Sequence, residues 1–214
     1  MLKINEIFKD IQGESSYTGF STVFVRFTGC NLRCTYCDTV YAYYEGNDLH
    51  VEDIISQIEG YTCPLVEITG GEPLLQKDVY RLIEGLLKRN NKVLIETNGS
   101  IDIRGVDERV IRIMDIKCPD SGMSGEMKWE NLGYLRGTDE VKFVVSSRRD
   151  YEWSINIIKE YSLEDRLTVL ISPAYGVIEP QNIAKWILND QLKIRFQPQL
   201  HRYIWGAEER RTDP

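Results

Sequence analysis

Cys30-Asn31-Leu32-Arg33-Cys34-Thr35-Tyr36-Cys37 is a Cys-x3-Cys-x2-Cys run, three thiols within eight residues. Packing alone gives no reason to crowd them so. Sulfur is a soft ligand, and thiolates this close suit zinc or an iron–sulfur cluster. A structural zinc site would need a fourth ligand from elsewhere in the chain. A cubane held by three cysteines instead leaves one iron without a protein ligand, open to a substrate or cofactor. Disulfides are disfavoured, because Met1-Leu2-Lys3-Ile4-Asn5-Glu6-Ile7 lacks the apolar stretch of a secretory signal.

Directly upstream runs Thr22–Thr28, an apolar stretch with β character. Similar runs recur at Leu65–Thr69, Lys92–Thr97, Val110–Lys117, Glu140–Val145, Leu167–Ile171 and Leu192–Phe196. Several are nearly continuous in Val, Ile and Leu, as strands covered on both faces should be. Between them lie helical patterns. Leu75, Val79, Leu82, Ile83, Leu86 and Leu87 form one apolar stripe, and Tyr151, Ile155, Ile158 and Tyr161 a second. Val51–Ile58 and Gln181–Leu188 are shorter candidates, and Pro119–Gly137 reads as a loop in place of a helix. Alternating strand and helix predicts an α/β fold with a mostly parallel sheet. At 214 residues the chain is short for eight βα units. It fits an incomplete, partial TIM-like barrel of about six mostly parallel strands with few full helices. No linker or repeat interrupts it, so residues 1–214 are expected to form one domain.

Composition narrows the function. The 42% apolar and 28% charged content is that of a globular protein. No run is long and apolar enough for a membrane span, so a cytoplasmic protein is expected. A net charge of -7 argues against nucleic acid as partner. Of the five cysteines, Cys63 and Cys118 lie outside the run and read as small buried side chains.

Further motifs fall at strand ends, where parallel α/β folds place their chemistry. Thr69-Gly70-Gly71-Glu72-Pro73 follows the second parallel strand; its glycines permit close backbone approach, and Glu72 could accept from an ammonium group. Tyr36 and Asp38-Thr39 flank the last cysteine, and the Thr39 hydroxyl could ligate a hard cation such as Mg²⁺. Ile11-Gln12-Gly13-Glu14 offers an amide and a carboxylate able to read a guanine-like edge. Arg26, inside an apolar strand, needs a partner; a substrate carboxylate or a core carboxylate would serve. The tail, Phe196-Gln197-Pro198-Gln199-Leu200-His201 through Trp205-Gly206, is aromatic enough to pack down.

The cysteine run followed by Gly-Gly-Glu-Pro resembles the signature of the radical S-adenosylmethionine enzymes. With Gln12-Gly13-Glu14, Arg26-Phe27-Thr28-Gly29, Asp38-Thr39 and the Phe196–His201 segment, the chain resembles, from about Ile4 onward, the 7-carboxy-7-deazaguanine synthase family of queuosine and deazapurine biosynthesis.

That resemblance implies a [4Fe-4S] cluster on Cys30, Cys34 and Cys37, and S-adenosylmethionine lined by Tyr36, Cys37, Asp38, Gly71, Glu72, Cys118, Pro119, Asp120, Gln197, Pro198, Gln199 and Leu200. It implies Mg²⁺ on Thr39 and a substrate held by Ile11, Gln12, Gly13, Glu14, Arg26, Thr69 and Pro214. The substrate would be 6-carboxy-5,6,7,8-tetrahydropterin, losing hydrogen at C6 to a 5'-deoxyadenosyl radical and contracting with release of ammonia. S-adenosylmethionine would be regenerated. An external flavodoxin- or ferredoxin-type donor and a homodimer are further implications. Two rival functions are an activase that makes a glycyl radical on a partner protein and a non-catalytic metal-binding scaffold. The first has no obvious need for Gln12, Glu14, Arg26 or Thr39.

Overall fold

The computed structural model describes residues 1–206. Its elements run β1 (Leu2–Ile11), β2 (Ser21–Phe27), β3 (Asn47–Leu49), α1 (Val51–Gly60), β4 (Leu65–Gly70), α2 (Val79–Lys88), β5 (Lys92–Thr97), β6 (Ile111–Ile116), β7 (Glu140–Val145), α3 (Arg148–Glu160), β8 (Thr168–Pro173), α4 (Pro180–Asp190), β9 (Arg195–Phe196) and α5 (Leu200–Trp205). They build one nine-stranded sheet in the order β3-β1-β2-β4-β5-β6-β7-β8-β9. From β2 to β9 every neighbouring pair is parallel. Strand β1 pairs antiparallel with β2 and β3. The two ends of the sheet do not pair with each other, so the barrel is open, as expected.

Helices cover the outer face. Val79, Leu82, Ile83 and Leu86 of α2 are buried, beside Ile54, Ile55 and Ile58 of α1. Truncating a fully buried leucine such as Leu82 costs about 2–5 kcal/mol. Tyr151, Ile155 and Ile158 of α3 close the other flank. As expected, Pro119–Gly137 holds no α-helix, only short 3-10 turns at Pro119–Ser121, Ser124–Glu126 and Trp129–Gly133.

Three expectations need correction. Strands β1 and β3 were not foreseen. In β1 the register shifts between Ile4 and Glu6, and Glu6, Phe8 and Asp10 line the central cavity, so no apolar alternation marks the strand. Leu75 lies outside α2, in a separate turn, because Gln76 turns away to donate to Lys3 O and Thr28 O, each at 3.0 Å. The last strand is two residues long, Arg195–Phe196, rather than Leu192–Phe196.

Side chains alternate across a strand, and the inward positions carry the chemistry. Phe24 and Arg26 of β2, Glu67 and Thr69 of β4, Glu96 of β5, Asp115 of β6, and Lys142 and Val144 of β7 all face one cavity of about 650 Å³. Their outward neighbours Val25, Ile68, Ile95, Ile116 and Phe143 are fully buried.

Candidate active site

The cysteine loop leaves β2 through Gly29, whose φ of +96° suits glycine. Three supports hold it. The first is Gly70-Gly71: Gly71 N donates to Phe27 O at 3.0 Å and Glu72 N to Gly29 O at 2.8 Å. A Cβ on Gly71 would overlap the Gly29 carbonyl, so this glycine lets the two loops touch. The second is Asn98, after β5, whose amide donates to Asn31 Oδ1 at 3.1 Å and approaches Cys30 Sγ at 3.7 Å. The third is the loop after β6, where Ser121 O accepts from Thr35 N at 3.1 Å and Asp120 O from the Thr35 hydroxyl at 2.8 Å.

Cys30, Cys34 and Cys37 line the cavity as free thiols. Burial pushes the Cys34 thiol up to about 11, with Lys117 pulling the other way. Iron binding displaces the thiol protons. Among the described residues no three His, Cys, Asp or Glu side chains are grouped to hold a single ion. A cubane asks less of the fold, because each thiolate meets its own iron. Three soft donors on one cavity wall fit such a cluster. Beside them Asp115 Oδ1 is buried without a hydrogen-bond partner, a polar atom that a ligand in the cavity can satisfy. Thr39 Oγ1 lies 3.7 Å from Cys37 Sγ and lines the same wall.

Of the residues expected around S-adenosylmethionine, Tyr36, Cys37, Asp38, Gly71 and Gln199 line the cavity. The Tyr36 hydroxyl donates to Val144 O at 3.0 Å. The others stand behind the wall. Glu72 is fully buried and accepts from Asn98 N (2.6 Å), Leu74 N (3.0 Å) and the Thr97 hydroxyl (3.0 Å). Burial pushes its carboxyl up to about 7 against those bonds. It ties the end of β4 to the end of β5 and does not line the cavity. Cys118 is fully buried against the Ser154 hydroxyl at 3.3 Å. Pro119 opens the turn whose Asp120 carbonyl braces the cysteine loop; the Asp120 side chain faces Ser147 and Arg149. Gln197 donates to the Thr18 hydroxyl at 3.0 Å and to Pro198 O at 3.2 Å, and Leu200 N to Gly13 O at 2.9 Å. Pro173, Ala174, Tyr175 and Val177 take part of that wall instead.

On the substrate side Ile11, Gln12, Gly13, Glu14, Arg26 and Thr69 all face the cavity. Pro214 lies outside the described residues. Gln12 donates to Glu67 and accepts from Glu14 N at 3.0 Å. Arg26 pairs through Nε with Glu6 at 2.6 Å and stands over the Phe8 and Tyr41 rings. Arg26 and Thr69 are register partners across β2 and β4.

Lys142 was missed from the sequence. Its ammonium meets Glu14 Oε2 at 2.6 Å, Glu96 Oε1, and Asp115 Oδ2 at 3.5 Å. Burial opposes its charge, but Glu14, Glu96 and Asp115 outweigh that and hold it cationic. Lys142 in turn keeps Glu14 ionised against burial. Glu67, facing Glu96 and Glu14, is pushed well above the usual carboxylate range, first by burial. A charged residue inside an apolar strand was a usable signal for Lys142, Glu67, Glu96 and Asp115, as it was for Arg26.

The tail reaches in from above. Arg202 pairs with Asp38 at 3.1 Å, and Trp205 Nε1 donates to Asp10 at 3.2 Å. A Cβ on Gly13 would overlap the His201 ring, so that glycine admits the tail.

Residues 24–172 match the Radical SAM superfamily. A 7-carboxy-7-deazaguanine synthase of Koribacter versatilis is 40% identical, the match covering 97% of this chain and 98% of that protein. One from Thermoplasma acidophilum is 35% identical over 95% and 97%. The crystal structure of QueE from Escherichia coli superposes with a TM-score of 0.76 at 24% identity, covering 94% of each chain, and supports the fold.

Proposed function

From the premise that this chain is a radical S-adenosylmethionine enzyme belonging to the 7-carboxy-7-deazaguanine synthases, we propose that it converts 6-carboxy-5,6,7,8-tetrahydropterin into 7-carboxy-7-deazaguanine with release of ammonia. The observation that carries this reading is the shared cavity: thiols on one wall, Arg26, Gln12 and Glu14 on another, with room for both cofactor and substrate.

When bound, a [4Fe-4S] cluster on Cys30, Cys34 and Cys37 together with S-adenosylmethionine would supply the 5'-deoxyadenosyl radical for hydrogen abstraction at C6. The chain's own residues bind, orient and exclude. Arg26 keeps its terminal nitrogens for the substrate carboxylate while Glu6 holds its Nε. Gln12 and Glu14 read the pyrimidine edge. Thr39, whose hydroxyl lines the cavity, would hold Mg²⁺. Tyr36, Asp38, Gly71 and Gln199 would flank S-adenosylmethionine, and the buried Glu72 and Cys118–Asp120 would position it through the loops they brace. The tail from Phe196 closes the mouth of the single domain against water, which a primary radical requires. S-adenosylmethionine is used catalytically. A flavodoxin- or ferredoxin-type donor in the cytoplasm supplies the electron, the enzyme works as a homodimer, and its product feeds queuosine or other deazapurine biosynthesis. Among the described residues no helix is long and apolar enough to cross a membrane, which accords with that setting.

Anaerobic incubation of the reconstituted enzyme with the pterin, S-adenosylmethionine and a reductant tests the reading. Ammonia and the deazaguanine ultraviolet spectrum should appear together. A protein with a full cluster that yields neither overturns it.

A further inference from the structure

We propose that Lys142 is a positioning residue for substrate recognition, holding Glu14 and Glu96 at one spacing, as hydrogen-bond acceptors, for the pyrimidine edge of the pterin. This rests on the substrate reading above.

Geometry carries it. The Lys142 ammonium gathers carboxylates from three separate parts of the chain: Glu14 after β1, Glu96 near the end of β5, and Asp115, its register partner, on β6. Glu14 and Glu96 each commit one oxygen to Lys142 and offer the other to a neutral donor on the cavity wall. For Glu14 that donor is Gln199 Nε2 at 2.8 Å; for Glu96 it is the Thr69 hydroxyl at 3.3 Å. Neutral donors such as these exchange readily for ligand N–H groups, whereas the ion pairs to Lys142 stay. A 2-amino-4-oxo-pyrimidine presents N–H donors along one edge, which ionised carboxylates accept. A protonated carboxyl would set a donor against a donor.

The surroundings explain why a cation is needed at this point. Glu67 from β4, Glu140 from the same strand, and Asp38, His201 and Arg202 from above also face this group, with Lys117 after β6 as the other nearby ammonium. Without Lys142, Glu14, Glu67, Glu96 and Asp115 would confront one another in a buried site and take up protons. The fold has little stake in the residue: the outward Val141, Phe143 and Val145 supply the packing of β7.

The test compares wild type, Lys142→Met and Lys142→Arg as reconstituted holoenzymes, on the pterin and on an analogue lacking the 2-amino group. Iron content and S-adenosylmethionine affinity serve as integrity readouts. We expect Lys142→Met to raise KM about a hundredfold with little change in kcat, Lys142→Arg to recover most of it, and KM of the Met variant to fall as pH rises from 7 to 9. Losing the 2-amino group should weaken wild type strongly and the Met variant hardly further, because both changes remove the same contact. Losses that multiply instead, or an unchanged KM with a lowered kcat, overturn the inference. Should the Met variant fail to fold, Lys142→Gln takes its place in the same cycle, since it removes the charge while keeping a polar side chain. A wild type that turns over the pterin while the cycle is multiplicative sinks this inference alone; a wild type inert toward the pterin sinks the substrate reading with it.

Discussion

Gln199 donates its side-chain amide to Glu14, Nε2 to Oε1 at 2.8 Å, across 185 residues of chain. Beside it Leu200 N donates to Gly13 O at 2.9 Å. The tail thus closes a loop with the Gln12-Gly13-Glu14 segment directly over the cavity, and the wall contains residues from both ends of the chain.

Ending the chain after Phe196 removes these contacts and the Arg202–Asp38 pair. We expect the truncated enzyme to bind its cluster, cleave S-adenosylmethionine, and release 5'-deoxyadenosine without matching product. Counting 5'-deoxyadenosine against ammonia checks this. Normal coupling would show that the tail is not the closure.

Gly71→Ala tests the meeting of the two loops. The added methyl overlaps the Gly29 carbonyl, which is backbone and cannot rotate away. Iron per chain should fall sharply, and the melting temperature should drop by an amount equivalent to roughly 1–3 kcal/mol. Gly60→Ala, where nothing lies within 4 Å, is the control and should leave iron content unchanged.

Glu72 predicts a pH dependence of stability. Its carboxyl rises on folding from 4.5 to about 7, chiefly through burial. Below about 4.5 it is protonated in both folded and unfolded chains. As pH rises from there to about 7, the unfolded chain ionises first, and stability is lost across that window. Relative to Glu72→Gln, which cannot titrate, wild type should lose at most about 3 kcal/mol between pH 4.5 and 8, at roughly 1.4 kcal/mol per pH unit. Urea unfolding at fixed pH values checks it. A constant difference between the two proteins would mean that the buried carboxyl does not titrate in this range.

Much of this was legible beforehand. Strands β2 and β4 through β8 fall within a residue or two of the predicted runs, because their outward halves are apolar. Strand β1 escaped because its bulge and its inward Glu6, Phe8 and Asp10 break the alternation. The cysteine run and the substrate-side residues up to Thr69 line the cavity. Glu72, Cys118, Pro119, Asp120, Gln197, Pro198 and Leu200 do not, since a local motif marks a strand end without saying whether a side chain points into the cavity or braces a loop behind it. Lys142 shows in the sequence only as a charge inside an apolar strand; its partners come from distant parts of the chain, and only the folded sheet brings them together.

Thr39→Ala separates the metal from the cluster. The hydroxyl stands 3.7 Å from Cys37 Sγ, and its loss leaves the three thiols in place. Iron content should stay at the wild-type level while the stimulation of turnover by Mg²⁺ disappears. Cys34→Ala should lose iron and activity together. If Thr39→Ala keeps its Mg²⁺ response, the cation is held elsewhere.

A count of turnovers shows whether S-adenosylmethionine is regenerated. Reconstituted enzyme is given the pterin in tenfold excess over S-adenosylmethionine, with reductant, under anaerobic conditions. Deazaguanine acid and ammonia should form in equal amounts, well beyond the S-adenosylmethionine supplied, with little 5'-deoxyadenosine. Product that never exceeds the S-adenosylmethionine, or 5'-deoxyadenosine accumulating with no product, would contradict it.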